Sequence, residues 1–276
     1  MSELRHATPL PQNPIAQLWR GAGYVFEALG FIRRARLWGL AAAGIAVNVV
    51  LLAVLVGGSL AVTLPILAQA QAWLLNLTTT GGILHGFFVL LGTILTVALV
   101  VLVVAANALV LALFGQTLAG PFLDLLSERV EELERGFAPY PFAVGRLLSG
   151  IVISLKDLVA SLLLLLLVNL PITLIGLTGV GSLPAAIASF CFSAWLLAHQ
   201  FVGLSLIRHQ ASYSVRWRVV RKSKLLSLGF GAATMALVVV PGLNVLLLPL
   251  AAVGGTLLYC DLVTAGRIEA PTRAVR

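Results

Sequence analysis

Long uncharged hydrophobic runs alternate with short basic segments along this chain. The first run covers residues 37–63 and the second covers residues 83–114, and neither contains a charged residue. A helix needs roughly 20 apolar residues to cross about 30 Å of hydrocarbon. Each run is therefore long enough for one transmembrane helix, and the second is long enough to tilt or to project beyond the bilayer.

Two later hydrophobic stretches, residues 158–207 and 225–265, are interrupted, the first at Pro171 and then at several glycines and Pro184, the second at Pro241-Gly242. The legs before Pro171 and Pro241 have 13 and 16 residues, which correspond to about 20 Å and about 24 Å of helix. Irregular backbone is tolerated at membrane depth only where protein or trapped water satisfies its polar groups. The pattern predicts either two helical hairpins that enter the membrane part-way or two ordinary hairpins whose legs borrow flanking residues to span it.

Residues 120–136 differ abruptly from the run before them. Pro121 suits the first turn of a helix, apolar residues recur at helical spacing, and Gly136 is suited to end the helix. Five carboxylates occupy the remaining faces, namely Asp124, Glu128, Glu131, Glu132 and Glu134. This pattern predicts a short amphipathic helix outside the hydrocarbon with a solvated acidic face. A metal or acid/base site is the alternative, although no histidine or cysteine adjoins the cluster.

Composition supports a membrane protein. Hydrophobic residues make up 60% of the chain, charged residues 10%, and the mean hydropathy is +1.05. Soluble domains carry about 25% charged residues, so a soluble protein with a solvated surface is excluded, and so is a disordered chain. We expect a polar, flexible N-terminus over residues 1–18, one membrane domain over residues 19–265, and a basic tail over residues 266–276.

Basic residues concentrate in the N-terminal flank, the central segment, the loop of residues 208–224 and the tail. The connections at residues 65–82, 171–184 and 241–244 carry no charge. Cytoplasmic segments of membrane proteins collect Lys and Arg, which accounts for the net charge of +8 without a nucleic-acid partner. With two spans and two hairpins, all basic segments fall on one side, so both termini are expected in the cytoplasm.

No residue pattern indicates catalysis, a cofactor or a metal. The four histidines are far apart and share no metal-ligand spacing, so we do not expect an enzyme. Short hydrophobic segments broken by Gly or Pro in two comparable positions are typical of a membrane transport site. The hairpin-tip candidates are Asn169, Pro171, Pro241 and Asn244.

The segment LGFIRRAR, residues 29–36, is the best candidate for contact with an anion. Gly30 can leave backbone N–H groups open to close approach, and Arg33 and Arg34 follow at the entrance to the first hydrophobic run. Backbone amides at a helix N-terminus together with guanidinium groups suit a tetrahedral oxyanion. The alternative is that arginines before a first span only set topology, and the pattern leaves both open.

Four stretches carry motifs whose order and spacing are specific. They are a glycine with paired arginines before a hydrophobic helix that contains Asn48, an A-G-P-F segment, an S-A-W segment, and a C-terminal F-G, P-x-x-N and P-x-A-x-x-G-G-T series. These motifs lie in residues 30–51, 119–136, 192–201 and 228–261. Together they resemble the CysZ-type sulfate permeases, within the superfamily named for the etoposide-induced membrane protein, and the resemblance covers roughly residues 19–261.

The resemblance implies an all-α integral membrane protein with two long transmembrane helices, two partly penetrating helical hairpins and the amphipathic cytoplasmic helix. It implies a homo-oligomer in the bacterial inner membrane that passes sulfate or a similar oxyanion for cysteine synthesis. The family's sulfate contact carries onto Gly30, Arg33 and Arg34, and Asn48 joins the pore candidates. Leu29 stands where the family has proline, and one extra residue separates Gly30 from Arg33. A membrane scaffold that keeps the fold without transport is the alternative.

Overall fold

The computed structural model describes residues 10–77, 83–136, 144–179, 181–209, 211–239 and 246–268. These residues form eight helices, and no strand occurs among them. The helices are α1 (Pro14–Arg34), α2 (Trp38–Leu77), α3 (Ile83–Arg135), α4 (Val144–Gly176), α5 (Ser182–Arg208), α6 (Tyr213–Lys222), α7 (Lys224–Val239) and α8 (Leu247–Thr264). The all-α prediction is confirmed.

Five of the described helices are long and apolar enough to cross a membrane. The segments are Trp38–Gln69 in α2, Val89–Asn107 in α3, Leu155–Gly176 in α4, Ser182–Arg208 in α5 and Leu247–Thr264 in α8. Large apolar side chains stand exposed along α2, α3 and α4, as expected for surfaces that face lipid. The class of integral membrane protein is therefore confirmed, and α7 offers a shorter apolar segment, Lys224–Leu237.

The helices belong to two compact units. One unit comprises Ala46–Leu118, and the other comprises Met1–Ile45 together with Ala119–Arg276. In the first unit, the Asn107 side chain on α3 donates a hydrogen bond to Ser59 Oγ on α2 over 2.8 Å. An interhelical hydrogen bond between polar side chains is a common way to join two apolar helices.

The core of the larger unit forms where α7 and α8 pack between α1 and α5. Glycines on α7 allow close approach on both sides, because a Cβ at Gly229 would collide with the Leu18 carbonyl on α1 and a Cβ at Gly231 with the Ala194 carbonyl on α5. Small residues commonly permit such backbone contact between membrane helices. These glycines therefore set how closely α7 approaches its two neighbours.

The amphipathic segment predicted over residues 120–136 is not a separate helix. It is the C-terminal part of α3, which continues through Pro121 to Arg135. An internal proline removes one backbone hydrogen bond, at a cost of about 3 kcal/mol, and burial of Leu126 and Val130 in the core offsets that cost. Gly136 has a φ of +65° and ends the helix as predicted.

The first hairpin also differs from its prediction. Pro171 lies inside α4 rather than at the tip, and the helix continues to Gly176. The apolar leg Leu155–Gly176 has 22 residues, about 33 Å of helix, so the expectation of a short leg is wrong. The turn follows at Gly179, whose φ is +81°, because glycine adopts that conformation without strain. Partial penetration stays a prediction, and the second tip, with Pro241 and Asn244, lies outside the described residues.

Candidate functional site

The predicted anion-binding residues lie at the junction between α1 and α2. Gly30, Arg33 and Arg34 all belong to the C-terminal part of α1, and α2 begins at Trp38. The expectation that a helix starts just beyond Gly30 is therefore wrong, because α1 continues through this glycine. The free N–H groups of a helix start belong instead to the first turn of α2.

The junction is a tight turn of three residues, Ala35 to Leu37, between the two helices. The Leu37 N–H donates to the Ile32 carbonyl over 3.0 Å, and the Arg36 N–H donates to the Arg33 carbonyl over 3.4 Å. Arg36 has a φ of +55°, in the left-handed conformation that usually falls to glycine at this position of a helix end. The turn satisfies two carbonyls of α1 and places a strained arginine directly before α2.

The guanidinium groups of the junction are open to an anion. Arg33, Arg34 and Arg36 are all exposed, and within the described part of the chain no carboxylate lies within 4.0 Å of any of them. Three positive charges thus adjoin the N-terminal end of α2, where the helix dipole also favours negative charge. Anion binding by this segment stays a prediction, and the structure places the arginines at the end of α1 and the first amides of the next helix in α2.

A second group of charged side chains lies buried where α3 meets α5. The Glu131 side chain is 0% exposed, and both carboxylate oxygens accept hydrogen bonds. Oε2 accepts from Arg208 Nη1 over 3.1 Å, while Oε1 accepts from His209 Nε2 over 2.9 Å and from Arg135 Nη1 over 3.3 Å. A buried carboxylate of this kind needs such partners to offset its loss of hydration.

Arg208 extends this cluster to a second carboxylate. Its Nε donates to Asp124 Oδ1 and its Nη2 to the Asp124 carbonyl, each over 3.1 Å. The Arg208 side chain is almost fully buried, whereas Asp124 is half exposed. The interpretation of the acidic face as uniformly solvated is therefore wrong for Glu131. A sequence signal was available, since Glu131 directly follows Val130, one of the apolar residues that recur at helical spacing, and lies one turn after Ser127.

Three buried hydroxyls lie one helical turn from the charged cluster. Ser127 Oγ is 2.7 Å from Thr256 Oγ1 and 3.2 Å from Ser205 Oγ. Each of α3, α5 and α8 contributes one of these hydroxyls, and all three are fully buried. Because Thr256 donates to the Ala252 carbonyl over 2.8 Å, its oxygen accepts from the serines. A polar layer therefore continues inward from Glu131 and Arg208.

One arginine of the basic loop, Arg216, forms an ion pair with a carboxylate on another helix. Arg216 on α6 meets Asp157 on α4 through two contacts, at 2.6 Å and 2.7 Å. Its side chain is buried beside Tyr213, and burial raises the pKa of the Tyr213 hydroxyl. This pair attaches the basic helix α6 to α4, so Arg216 has a structural role besides its charge.

The remaining candidates are dispersed. Asn169 on α4 accepts a hydrogen bond from Ser189 on α5 over 2.6 Å, which joins the two legs of the first hairpin. Asn48 lies within α2, in the part of the helix that belongs to the smaller unit. Among the described contacts, none links Asn169 to the arginines of the α1–α2 junction.

The sequence matches a known family and several named proteins. The family model described as sulfate transporter CysZ/etoposide-induced protein 2.4 matches residues 24–249. A protein named sulfate transporter CysZ from Pectobacterium atrosepticum is 30% identical over 152 residues, which cover 52% of this chain and 53% of that protein. Its namesake from Pseudomonas fluorescens is 29% identical over 148 residues, covering 53% and 59%.

A third relative with the same name, from Salmonella typhimurium, is 27% identical over 152 residues, which cover 52% of this chain and 57% of that protein. The chain thus spans about half the length of the curated relatives that it matches.

Proposed function

The chain belongs to the sulfate transporter CysZ/etoposide-induced protein 2.4 family, and we propose that it moves sulfate or a similar oxyanion across the bacterial inner membrane. The observation that carries this proposal is the set of three exposed arginines at the junction of α1 and α2, none of which lies within 4.0 Å of a carboxylate in the described part of the chain. The names of the relatives add support, since each is called a sulfate transporter. Sulfur supply for cysteine synthesis is the role proposed for the imported anion.

Arg33 and Arg34 are proposed to capture the dianion. Guanidinium groups donate paired hydrogen bonds to tetrahedral oxyanions, and the first N–H groups of α2 add donors of the kind found at other anion sites. Each hydrogen bond to a charged group contributes roughly 1.5–3 kcal/mol. Gly30 contributes space rather than a donor, because a Cβ there would meet no atom within 4 Å.

The buried cluster around Glu131 is proposed to have a structural role. Glu131 and Asp124 balance the charges of Arg208 and Arg135, so the cluster offers no net positive charge to a dianion. We propose that it holds the ends of α3 and α5 together while the arginines of the junction meet the anion.

Orientation follows from the distribution of charge. Arg33, Arg34 and the basic α6 are proposed to face the cytoplasm, together with both termini, because positively charged segments are retained on that side. The working form is proposed to be a homo-oligomer in the lipid bilayer, with the hairpin tips directed toward its interior.

Uptake of radiolabelled sulfate into liposomes tests the proposal. Purified protein should carry sulfate into vesicles, with phosphate and chloride as competing anions. The double variant Arg33→Gln/Arg34→Gln should lower sulfate affinity at least about tenfold, because it removes two charge-assisted contacts. The matched control is Arg218→Gln/Arg221→Gln, which removes two exposed charges from α6 and should retain uptake.

Two outcomes would count against the proposal. Unchanged sulfate affinity in a correctly inserted Arg33→Gln/Arg34→Gln protein would remove the capture site. Failure of the unaltered protein to carry any of the three anions would remove transport itself and leave a scaffold role.

A further inference from the structure

α1 carries a line of large apolar side chains that stand exposed among the residues that the structure describes. The four are Ile15, Trp19, Phe26 and Leu29, with exposures of 66%, 75%, 73% and 44%. Their spacing of four, seven and three residues places them on one face of the helix. The opposite face, which includes Tyr24, Ala28 and Phe31, is buried in the core. The apolar line, residues 15, 19, 26 and 29, therefore points away from the protein.

α1 is not one of the helices suited to cross the membrane. Arg20, near its middle, pairs with Glu27 and with Asp261 on α8, and Tyr24 donates to Asp261 over 2.5 Å. These contacts hold one side of α1 against the protein. A helix that is held on the protein by one face and exposes large apolar side chains on the other can lie in the membrane plane at the boundary between headgroups and acyl chains.

The connection to α2 holds the end of α1 near that boundary. Three residues separate α1 from α2, a link that reaches at most about 11 Å. The membrane-crossing segment of α2 begins at Trp38, an exposed tryptophan, and tryptophan is enriched where a span meets the aqueous phase.

The charges at the junction complement a phospholipid surface. Arg36 is exposed at the link, with no described carboxylate within 4.0 Å. Arg33 lies one turn beyond Leu29, so the apolar line ends in a positive charge. Lipid phosphates carry the opposite charge, and basic residues beside a span are attracted to anionic leaflets.

We propose that α1 is an in-plane membrane anchor. Its apolar line inserts among the acyl chains of one leaflet, and Arg36 contacts the phosphate of an anionic phospholipid. A second copy of the chain is the less suitable occupant, because the four side chains expose on the order of 500 Å², less than the ~800 Å² that each partner of a standard interface buries. The anchor does not depend on whether the protein transports sulfate.

Spin-label accessibility in nanodiscs that contain phosphatidylglycerol tests the anchor. Trp19→Cys and Phe26→Cys would each be labelled after replacement of Cys191, while buried Cys260 remains. Leu166→Cys, exposed on an apolar face of α4, supplies the lipid reference, and Arg218→Cys supplies the aqueous reference. Both α1 labels should collide with membrane-soluble oxygen more often than with a water-soluble nickel chelate. The depth that these collision rates give for each α1 label should be shallower than the depth of the label at Leu166.

The contrary results are distinct. Nickel accessibility equal to that of Arg218 would show that the apolar line faces water. Protection from both reagents, with dipolar broadening that scales with copies per disc, would show that a second chain covers it. Either result overturns the anchor. If a labelled variant fails to fold, the tryptophan fluorescence of the unlabelled protein can be measured instead. Brominated lipid should quench this fluorescence more in the unaltered protein than in its Trp19→Phe variant, and equal quenching would again overturn the anchor.

The lipid charge has its own test. A fluorophore at Phe26→Cys should be quenched more by spin-labelled phosphatidylglycerol than by spin-labelled phosphatidylcholine. Arg36→Gln, which keeps the same backbone strain, should lower this preference by about fivefold, the factor that one surface charge contributes. Added sulfate should leave the preference unchanged. If Arg36→Gln leaves the preference for phosphatidylglycerol unaltered, Arg36 is not the lipid contact. If added sulfate abolishes the preference in the unaltered protein, Arg36 binds free anions instead of lipid.

Discussion

Glu131 and Arg208 form an ion pair inside the protein, with Oε2 of the carboxylate 3.1 Å from Nη1 of the guanidinium. Neither side chain is more than 3% exposed. The pair joins the cytoplasmic end proposed for α3 to the end of α5, and it lies one helical turn from the buried hydroxyls of Ser127 and Ser205. Two of the following predictions test whether such interior contacts, rather than the hydrophobic runs alone, hold these helices in place.

Glu131→Gln should destabilise the protein strongly, because it leaves Arg208 and Arg135 without their shared carboxylate. Removal of one partner from a buried ion pair costs about 3–5 kcal/mol. Glu132→Gln is the matched control, since Glu132 and Arg129 form a solvent-accessible pair on the same helix, worth about 0–1 kcal/mol. Thermal unfolding in detergent would compare them, and equal losses would contradict the buried role of Glu131.

Gly231→Ala should separate α5 from α7, because the added methyl would collide with the Ala194 backbone carbonyl. Overpacking of this kind costs about 1–3 kcal/mol or more. Gly23→Ala serves as control, since a Cβ at Gly23 meets nothing within 4 Å and should stabilise α1 by about 0.5–1 kcal/mol. Unfolding temperatures that change in the same direction for both variants would refute this account.

Arg36→Gly should raise stability by about 1 kcal/mol, because glycine accepts the left-handed backbone of this position without the cost that other residues incur. Arg36→Ala removes the same charge and retains the strain at a φ of +55°, so it should give no gain. The comparison of melting temperatures for the two variants isolates the backbone effect. If Arg36→Ala raises the melting temperature as much as Arg36→Gly does, the stabilisation comes from removal of the charge and not from relief of backbone strain.

The hairpin question, left open by both the leg lengths and the hydrophobic pattern, can be decided by labelling. A cysteine at Thr178, exposed in the turn after α4, should react slowly with a charged thiol reagent from either side if the tip stops at membrane depth. A cysteine at Ser214, exposed at the start of the basic α6, should react only from the cytoplasmic side. Rapid external labelling at Thr178 would show that the hairpin crosses completely.

The order of hydrophobic, charged and glycine residues along the chain predicted the structure correctly where a single local property decides it. The first run, apart from its first residue, lies within α2, and residues 83–114 lie within α3, because a long run without charge has no other stable environment than lipid. Gly136 ends α3 because the left-handed conformation favours glycine in any context. Local rules failed at Pro121 and Pro171, which both lie inside helices. Burial of Leu126 and Val130 offsets the hydrogen bond lost at Pro121, and Pro171 lies in an apolar helix of a kind that tolerates proline.

The sequence by itself determined the all-α membrane class and the concentration of arginine before the first span. Only the tertiary structure decided that Glu131 is buried, that Gly30 lies within a helix, and that one face of α1 remains uncovered. The reason is that hydrophobicity and charge are properties of a residue, readable one after another along the chain. Burial, pairing and exposure depend on which other helices approach a given face, and those helices come from distant parts of the sequence.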